Sequence, residues 1–214
     1  MPSYDASVTE PPPHRRELVP FEVAAVIAIA LIPLPIPRVV PLLVVASLSR
    51  WLRGTSWGTA LHGGGFDAAI GAAAGVIALA LALLAGTPLI ESLTGHAIEW
   101  STFPMVRGNS SQLFVVIVLV GVTALAAELV LHGWILDRML ELGRGGPVLP
   151  ILVAAIAEGI LTSGDLAARL GAGGFGAGLG WMYVASKRSL LAPTCARLAF
   201  QLGAVTLEAL RIVG

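Results

Sequence analysis

Residues 113–127, Leu-Phe-Val-Val-Ile-Val-Leu-Val-Gly-Val-Thr-Ala-Leu-Ala-Ala, form fifteen consecutive positions without a charge, and Glu128 and His132 follow directly. A run this apolar fixes its surroundings before anything else, because it must be enclosed by protein or by lipid. The rest of the chain supplies little polar cover: 12% of its 214 residues are charged and its mean hydropathy is +0.86. Soluble domains carry about 25% charged residues. Several further runs approach the roughly 20 residues needed to cross a bilayer, and the weak alternation of a transmembrane β-barrel is missing. The expectation is an all-α, polytopic membrane bundle of about seven helices.

The predicted helices are 21–36, broken by Pro33, Pro35 and Pro37; 39–52; 68–85; Ser110 to Leu142; 148–162; 173–186, extended back to Leu170 if it is to span; and 190–210. The loop after residue 85 has room for a short interfacial helix. Residues 1–19, polar and Pro-rich, are expected to be a disordered tail, and 20–212 a single transmembrane domain, the first apolar run being a retained helix rather than a signal peptide. Gly173, Gly174, Gly176, Gly178 and Gly180 predict a helix that a neighbour approaches closely. Arg15, Arg16, Arg50, Arg53, Arg138, Arg144, Lys187 and Arg188 fall on one side of this arrangement and Arg38, Arg107, Arg169 and Arg211 on the other. That bias puts the N-terminus in the cytoplasm and the C-terminus outside. Arg outnumbers Lys twelve to one amid much Ala and Gly, which points to GC-rich, bacterial coding DNA and so to a bacterial inner membrane. With net charge zero and scattered basic residues, nothing suggests a nucleic-acid surface, and the single Cys195 excludes an internal disulfide.

Charges inside the runs carry the functional signal. Glu128 lies ten residues before Arg138, Glu158 ten residues after Val148, and Arg197 nine residues after Arg188. At 1.5 Å per residue, all three sit about 13–15 Å below the same surface, near mid-membrane. His132 shares a helix face with Glu128, one turn shallower, and Gln201 lies one turn deeper than Arg197. An isolated charge at that depth costs at least roughly 2.5–3.5 kcal/mol, so three of them should converge on one polar pocket with Arg197 bridging carboxylates. Such a pocket is either a working acid/base site or a structural polar cluster. His14, His62 and His96 lie in loops and imply no role. Ser163 reads as a cap or turn residue and Asp165 as facing water.

The chain resembles the CPBP family of intramembrane proteases, which includes CAAX prenyl proteases and bacteriocin-processing or immunity proteins. The resemblance rests on several segments. Arg50 to Gly65 is similar to the basic, Trp-containing loop after the family's second helix. Arg107 to Leu136 resembles the segment leading into its Glu-Glu-x-x-x-Arg-Gly motif. Ile151 to Leu161 falls where the family has Phe-x-x-x-His. Gly174 to Gln201 resembles the Gly-rich helix, the Ser-Leu-x-x-Pro turn and the final His-x-x-x-Asn. Carried over residue by residue, the first motif Glu, which is thought to activate water, falls on Ala127. The second is present as Glu128, the Arg falls on His132, and the Gly is Gly133. The Phe falls on Ala154 and its His on Glu158, while the last His falls on Arg197 and the Asn on Gln201.

Hydrolysis needs a base for water and donors for the oxyanion. Ala127 supplies no base, and Arg197 beside Glu158 would hold that carboxylate ionised and weaken it as one. The resemblance with these departures implies a protease-like fold with impaired catalysis, acting by binding a membrane-anchored peptide or an active paralogue through the mid-membrane polar pocket. The competing reading is a divergent glutamic-type endopeptidase using Glu128 or Glu158, with Arg197 and Gln201 as oxyanion donors. A transporter is a weaker reading, since the halves show no repeat. No cofactor is implied. Metal binding is disfavoured because His132 is the only obvious nitrogen ligand and a guanidinium would repel a divalent ion.

Overall fold

The computed structural model describes residues 19–32, 39–58, 60–95, 100, 102–142, 146–162, 164 and 166–212. The expectations for residues 1–18, for Pro33, Pro35, Pro37 and Arg38, and for His96, Arg144, Ser163 and Asp165 lie outside them. The described residues are helical and contain no strand. In chain order the helices are α1 (Val19–Leu31), α2 (Val39–Leu52), α3 (Gly65–Leu81), α4 (Thr87–Thr94), α5 (Ser110–Val130), α6 (Asp137–Leu140), α7 (Val148–Leu161), α8 (Leu166–Ala185) and α9 (Leu191–Ala209). Two π turns, Ala82–Gly86 and Leu131–Leu136, weld α3 to α4 and α5 to α6.

Helices stop where the backbone chemistry demands it. Gly54 takes φ 71° after α2, and its N–H donates to the Trp51 carbonyl at 2.9 Å. Gly95 ends α4 in the same way, with φ 70° and its N–H on the Glu91 carbonyl. Asn109 opens α5, its side chain accepting from the Gln112 N–H at 3.2 Å. Two sequence expectations need correction. The short helix allowed for after residue 85 is present as α4, but it continues the third helix through a π turn instead of standing apart in a loop. The helix predicted at 173–186 begins at Leu166, seven residues earlier.

The welded helices Gly65–Leu93 and Ser110–Leu140 are long and apolar enough to cross a membrane, while Val19–Ile29, Val39–Leu52 and Val148–Leu161 are shorter apolar helices. In the most apolar windows of the two long ones only 17% and 33% of residues are buried within the protein. A core helix of a soluble protein would be mostly buried. Here Phe66, Ile77, Leu81 and Leu84 stand out from one long helix and Phe114, Val115 and Val122 from the other. Apolar surface of that extent suits lipid contact.

Helix α5 runs through the centre. It packs on α2 and on α9, and α9 packs in turn along α3; α7 and α8 form a hairpin over the Leu131–Leu136 turn. All six residues of that turn are buried, which a one-sided surface helix cannot achieve. Leu131, Trp134, Ile135 and Leu136 form the core with Val23, Leu42, Ala46, Ile151 and Tyr183. The closest approach is between α3 and α9. A Cβ on Gly71 would lie 2.1 Å from the Ala192 carbonyl oxygen, and one on Gly75 equally close to that of Ala196. This is a small-xxx-small seam in which only glycine fits. On α8, Gly173, Gly176 and Gly180 face α7 closely, whereas Gly174 and Gly178 have open space.

The seam predicts a contrast. Gly75→Ala should lower unfolding stability by about 1–3 kcal/mol, because it drives a methyl into backbone. Gly121→Ala on α5, with nothing within 4 Å, should leave stability unchanged or raise it slightly. Thermal unfolding of both variants in one detergent checks this, and equal melting temperatures would refute the seam.

Candidate functional site

Three helices deliver four ionisable side chains to one point. The i, i+4 spacing on α5 and its π turn places the His132 Nδ1 2.7 Å from the Glu128 Oε2. Arg197, on the α9 face turned toward α5 and α7, donates from Nε to the Glu128 Oε1 and from Nη1 to the Glu158 Oε1. Its guanidinium lies over the Phe175 ring at 5.7 Å, and Phe175 stacks against Phe200 with ring centroids 4.6 Å apart. Glu128 and His132 are 0% exposed, Arg197 4% and Glu158 5%, so the network is enclosed and well removed from solvent.

Room for Glu158 comes from the neighbouring helix. A Cβ on Gly176 would lie 2.1 Å from the Glu158 Oε2, so the carboxylate occupies the space that any other residue of α8 would fill. The same glycine offers its carbonyl oxygen to the His132 Nε2 at 3.2 Å. Both imidazole nitrogens therefore face acceptors, and the ring satisfies both only as an imidazolium. The two carboxylates, the guanidinium and the imidazolium then sum to zero charge. Two atoms stand outside this pairing: the Glu158 Oε2 and the Arg197 Nη2 are buried without a hydrogen-bond partner among the described residues.

The structure brings Glu128, His132, Glu158 and Arg197 together and leaves Gln201 apart. Gln201 is half-buried on α9 and, among the described residues, hydrogen-bonds to none of the four. Ala127 is partly buried against the apolar core and Ala154 is 1% exposed within it, so neither position offers a polar group. Among the described residues no group of three or more His, Cys, Asp or Glu side chains is arranged to hold a metal ion.

Three buried charges were passed over in the sequence: Arg50, Glu208 and Arg138, the last 5% exposed and bonded to Glu22 and Glu141. Arg50, assigned there only to the inner interface, is 7% exposed. It donates to the Gly133 carbonyl at 2.9 Å and the Ser56 carbonyl at 2.8 Å, with its guanidinium 4.5 Å from the Trp57 ring centre. It thus ties the π turn beside His132 to the α2–α3 loop. Glu208, near the far end of α9, is 1% exposed and accepts from the backbone N–H groups of Thr102 and Phe103 at 3.0–3.1 Å. A lone acid in an apolar terminal helix was the available signal for Glu208. For Gly71 and Gly75 it was the Gly-Ala-Ala-Ala-Gly string itself.

Residues 109–203, from the cap of α5 into α9, match the family model described as type II CAAX prenyl endopeptidase Rce1-like. The matched stretch is just under half of the chain and holds all four network residues, and it supports membership in the CPBP/CAAX protease family. No curated protein and no solved structure matches the chain.

Removing one partner from a buried pair costs roughly 3–5 kcal/mol, since it strands the other charge. Arg197→Leu strands two carboxylates and should destabilise by at least that much. Arg197→Leu combined with Glu158→Leu should recover part of the loss. Chemical or thermal unfolding of the single and double variants measures the coupling, and additive losses would mean the side chains do not interact.

Proposed function

We propose that this CAAX-protease-like chain is a seven-helix protein of a bacterial inner membrane, N-terminus inward, whose buried centre holds the bundle together and no longer hydrolyses peptides. In this reading it works by binding: it holds a membrane-anchored peptide, or partners an active member of the same family. The observation that carries the proposal is Arg197 engaging both Glu128 and Glu158 in an enclosed setting. A general base must present a free lone pair to water within hydrogen-bond reach. Glu128 has both oxygens engaged, one by Arg197 and one by His132. The position that resembles the family's water-activating Glu is Ala127.

Apolar helices and the family match support the membrane setting. So does the division of charge between the two ends of the bundle. Glu22, Arg53, Arg138 and Glu141 form a linked ionic cluster at one end, whereas Glu208 and Arg107 pair at the other, 3.8 Å apart.

A second reading, a divergent glutamic-type endopeptidase, is favoured by one specific observation. The Glu158 Oε2 and the Arg197 Nη2 have no partners, so one carboxylate oxygen and one N–H pair are left for a water and an oxyanion.

The two are separated by assaying the purified full chain, reconstituted in nanodiscs, against a panel of membrane-anchored peptides. The expected result is peptide retention without cleavage, with the same background in the wild type, Glu128→Gln and Glu158→Gln. Cleavage by the wild type that disappears in either variant would overturn the proposal and establish the endopeptidase.

A further inference from the structure

A cavity of about 500 Å³ opens where α6, the start of α7 and the end of α8 meet, and none of the four network residues lines it. Its walls are apolar, with Met139, Leu140, Pro147, Pro150 and Val184, and two cations, Lys187 and Arg188, stand beside them. The volume lies within the range of small-molecule sites. The backbone that presents the cations is unusual. Lys187 and Arg188 have φ of 56° and 66°, two consecutive non-glycine residues in the left-handed region. The Lys187 N–H donates to the Val184 carbonyl at 3.2 Å and the Arg188 N–H to the Tyr183 carbonyl at 2.9 Å, which closes α8. Side chains adopt this conformation at a cost, and such turns persist where their surroundings fix them, often at ligand sites.

Among the described residues only one of the two charges has an ion-pair partner. Lys187 is exposed and has no ion-pair partner among the described residues. Arg188, half exposed, has one contact, 3.5 Å to Asp137, and that carboxylate also accepts from the Tyr183 hydroxyl at 3.2 Å. The cavity belongs to the end of the bundle that bears Arg50, Arg53 and Arg138, where apolar helix faces give way to ionic groups. In a membrane that is the level of lipid headgroups, and clustered basic residues there attract anionic lipids.

A hydrocarbon-lined recess with two cations beside it, Lys187 without an ion-pair partner among the described residues and Arg188 held only by Asp137 at 3.5 Å, complements a ligand with an anionic head and an apolar tail. We propose that the cavity seats one anionic phospholipid, its phosphate held by Lys187 and Arg188 and the first part of an acyl chain lying against Leu140, Pro150 and Val184. The inference shares only the membrane setting with the proposed function and holds whether or not the chain cleaves peptides.

The test is native mass spectrometry of the full chain released from nanodiscs containing phosphatidylglycerol and phosphatidylcholine with identical acyl chains. One phosphatidylglycerol should remain bound, preferred at least about tenfold, as two cations near the headgroup imply. Lys187→Gln with Arg188→Gln should reduce retention to the phosphatidylcholine level, and Val184→Trp, which fills the apolar wall, should reduce it as well. Lys187→Gln alone breaks no contact within the protein and should still lower retention, which guards against misfolding of the double variant. Equal retention of the two lipids, or unchanged retention in Lys187→Gln and Val184→Trp, would overturn the assignment. So would displacement of the lipid by millimolar inorganic phosphate or by a peptide with a free C-terminal carboxylate. Peptide cleavage in the earlier assay has no bearing on this readout, so the two proposals fail separately.

Discussion

The guanidinium of Arg197 is the element on which the interior of this bundle depends. Helices α5, α7 and α9 each carry a charge at a depth where water is scarce, and none of the three is acceptable there alone. Arg197 is the one of the four polar side chains that engages both carboxylates, Glu128 on α5 and Glu158 on α7. A lysine would supply charge without the planar fork that spans two carboxylates. The contact therefore sets the relative register of three helices, in a setting where apolar contact between helices competes with equally apolar lipid. A buried ion pair of this kind is weak evidence for stability in itself, because an apolar replacement of equal volume is often no worse. What it does provide is specificity: any slip of α7 or α9 along α5 would strand a charge.

Two glycine contacts and one arginine extend that constraint outward. Gly176 makes space for the Glu158 carboxylate and lends its carbonyl to His132, so α8 is fixed to the network without contributing a side chain. Gly71 and Gly75 let α3 lie directly on the backbone of α9, which braces the helix that carries Arg197. On the other side, the π turn at Leu131–Leu136 would leave a main-chain carbonyl without its usual helical partner. Arg50 donates to that of Gly133 and stacks on Trp57. The irregularity in the central helix and the basic, Trp-containing loop are thus two halves of one arrangement.

Much of this was legible in the sequence where the signal was local and chemical. Charge-free runs located the helices, and counting residues from interfacial arginines placed Glu128, Glu158 and Arg197 at one depth, where their side chains meet. The misses have equally physical origins. The third helix was expected to stop at residue 85, but a π turn at Ala82–Gly86 carries it on into the next helix. Gln201 follows Arg197 by four residues and shares its face in an ideal helix, yet a hydrogen bond requires a partner at that height on a neighbour, which spacing along one helix does not reveal. Arg50 was read as an interfacial charge because its position at the end of an apolar helix is that of an anchor, while its burial depends on a loop folding back over it.

The arrangement also bears on how a hydrolytic site and a structural one can share a scaffold. In the motif that the segment around Glu128 resembles, the first carboxylate is thought to activate water, for which it must stay free to take a proton. Here that first position is a core alanine and the second carboxylate has both oxygens occupied. At the remaining motif positions a carboxylate and a guanidinium stand where the family has imidazoles, so each has found its complement within the protein. A charged group that has a complement in a dry interior is held more firmly than one awaiting substrate, and the same low dielectric that would strengthen catalysis strengthens that hold. In the proposed reading, the enclosure that suits peptide hydrolysis serves, with these residues in it, to fix helices.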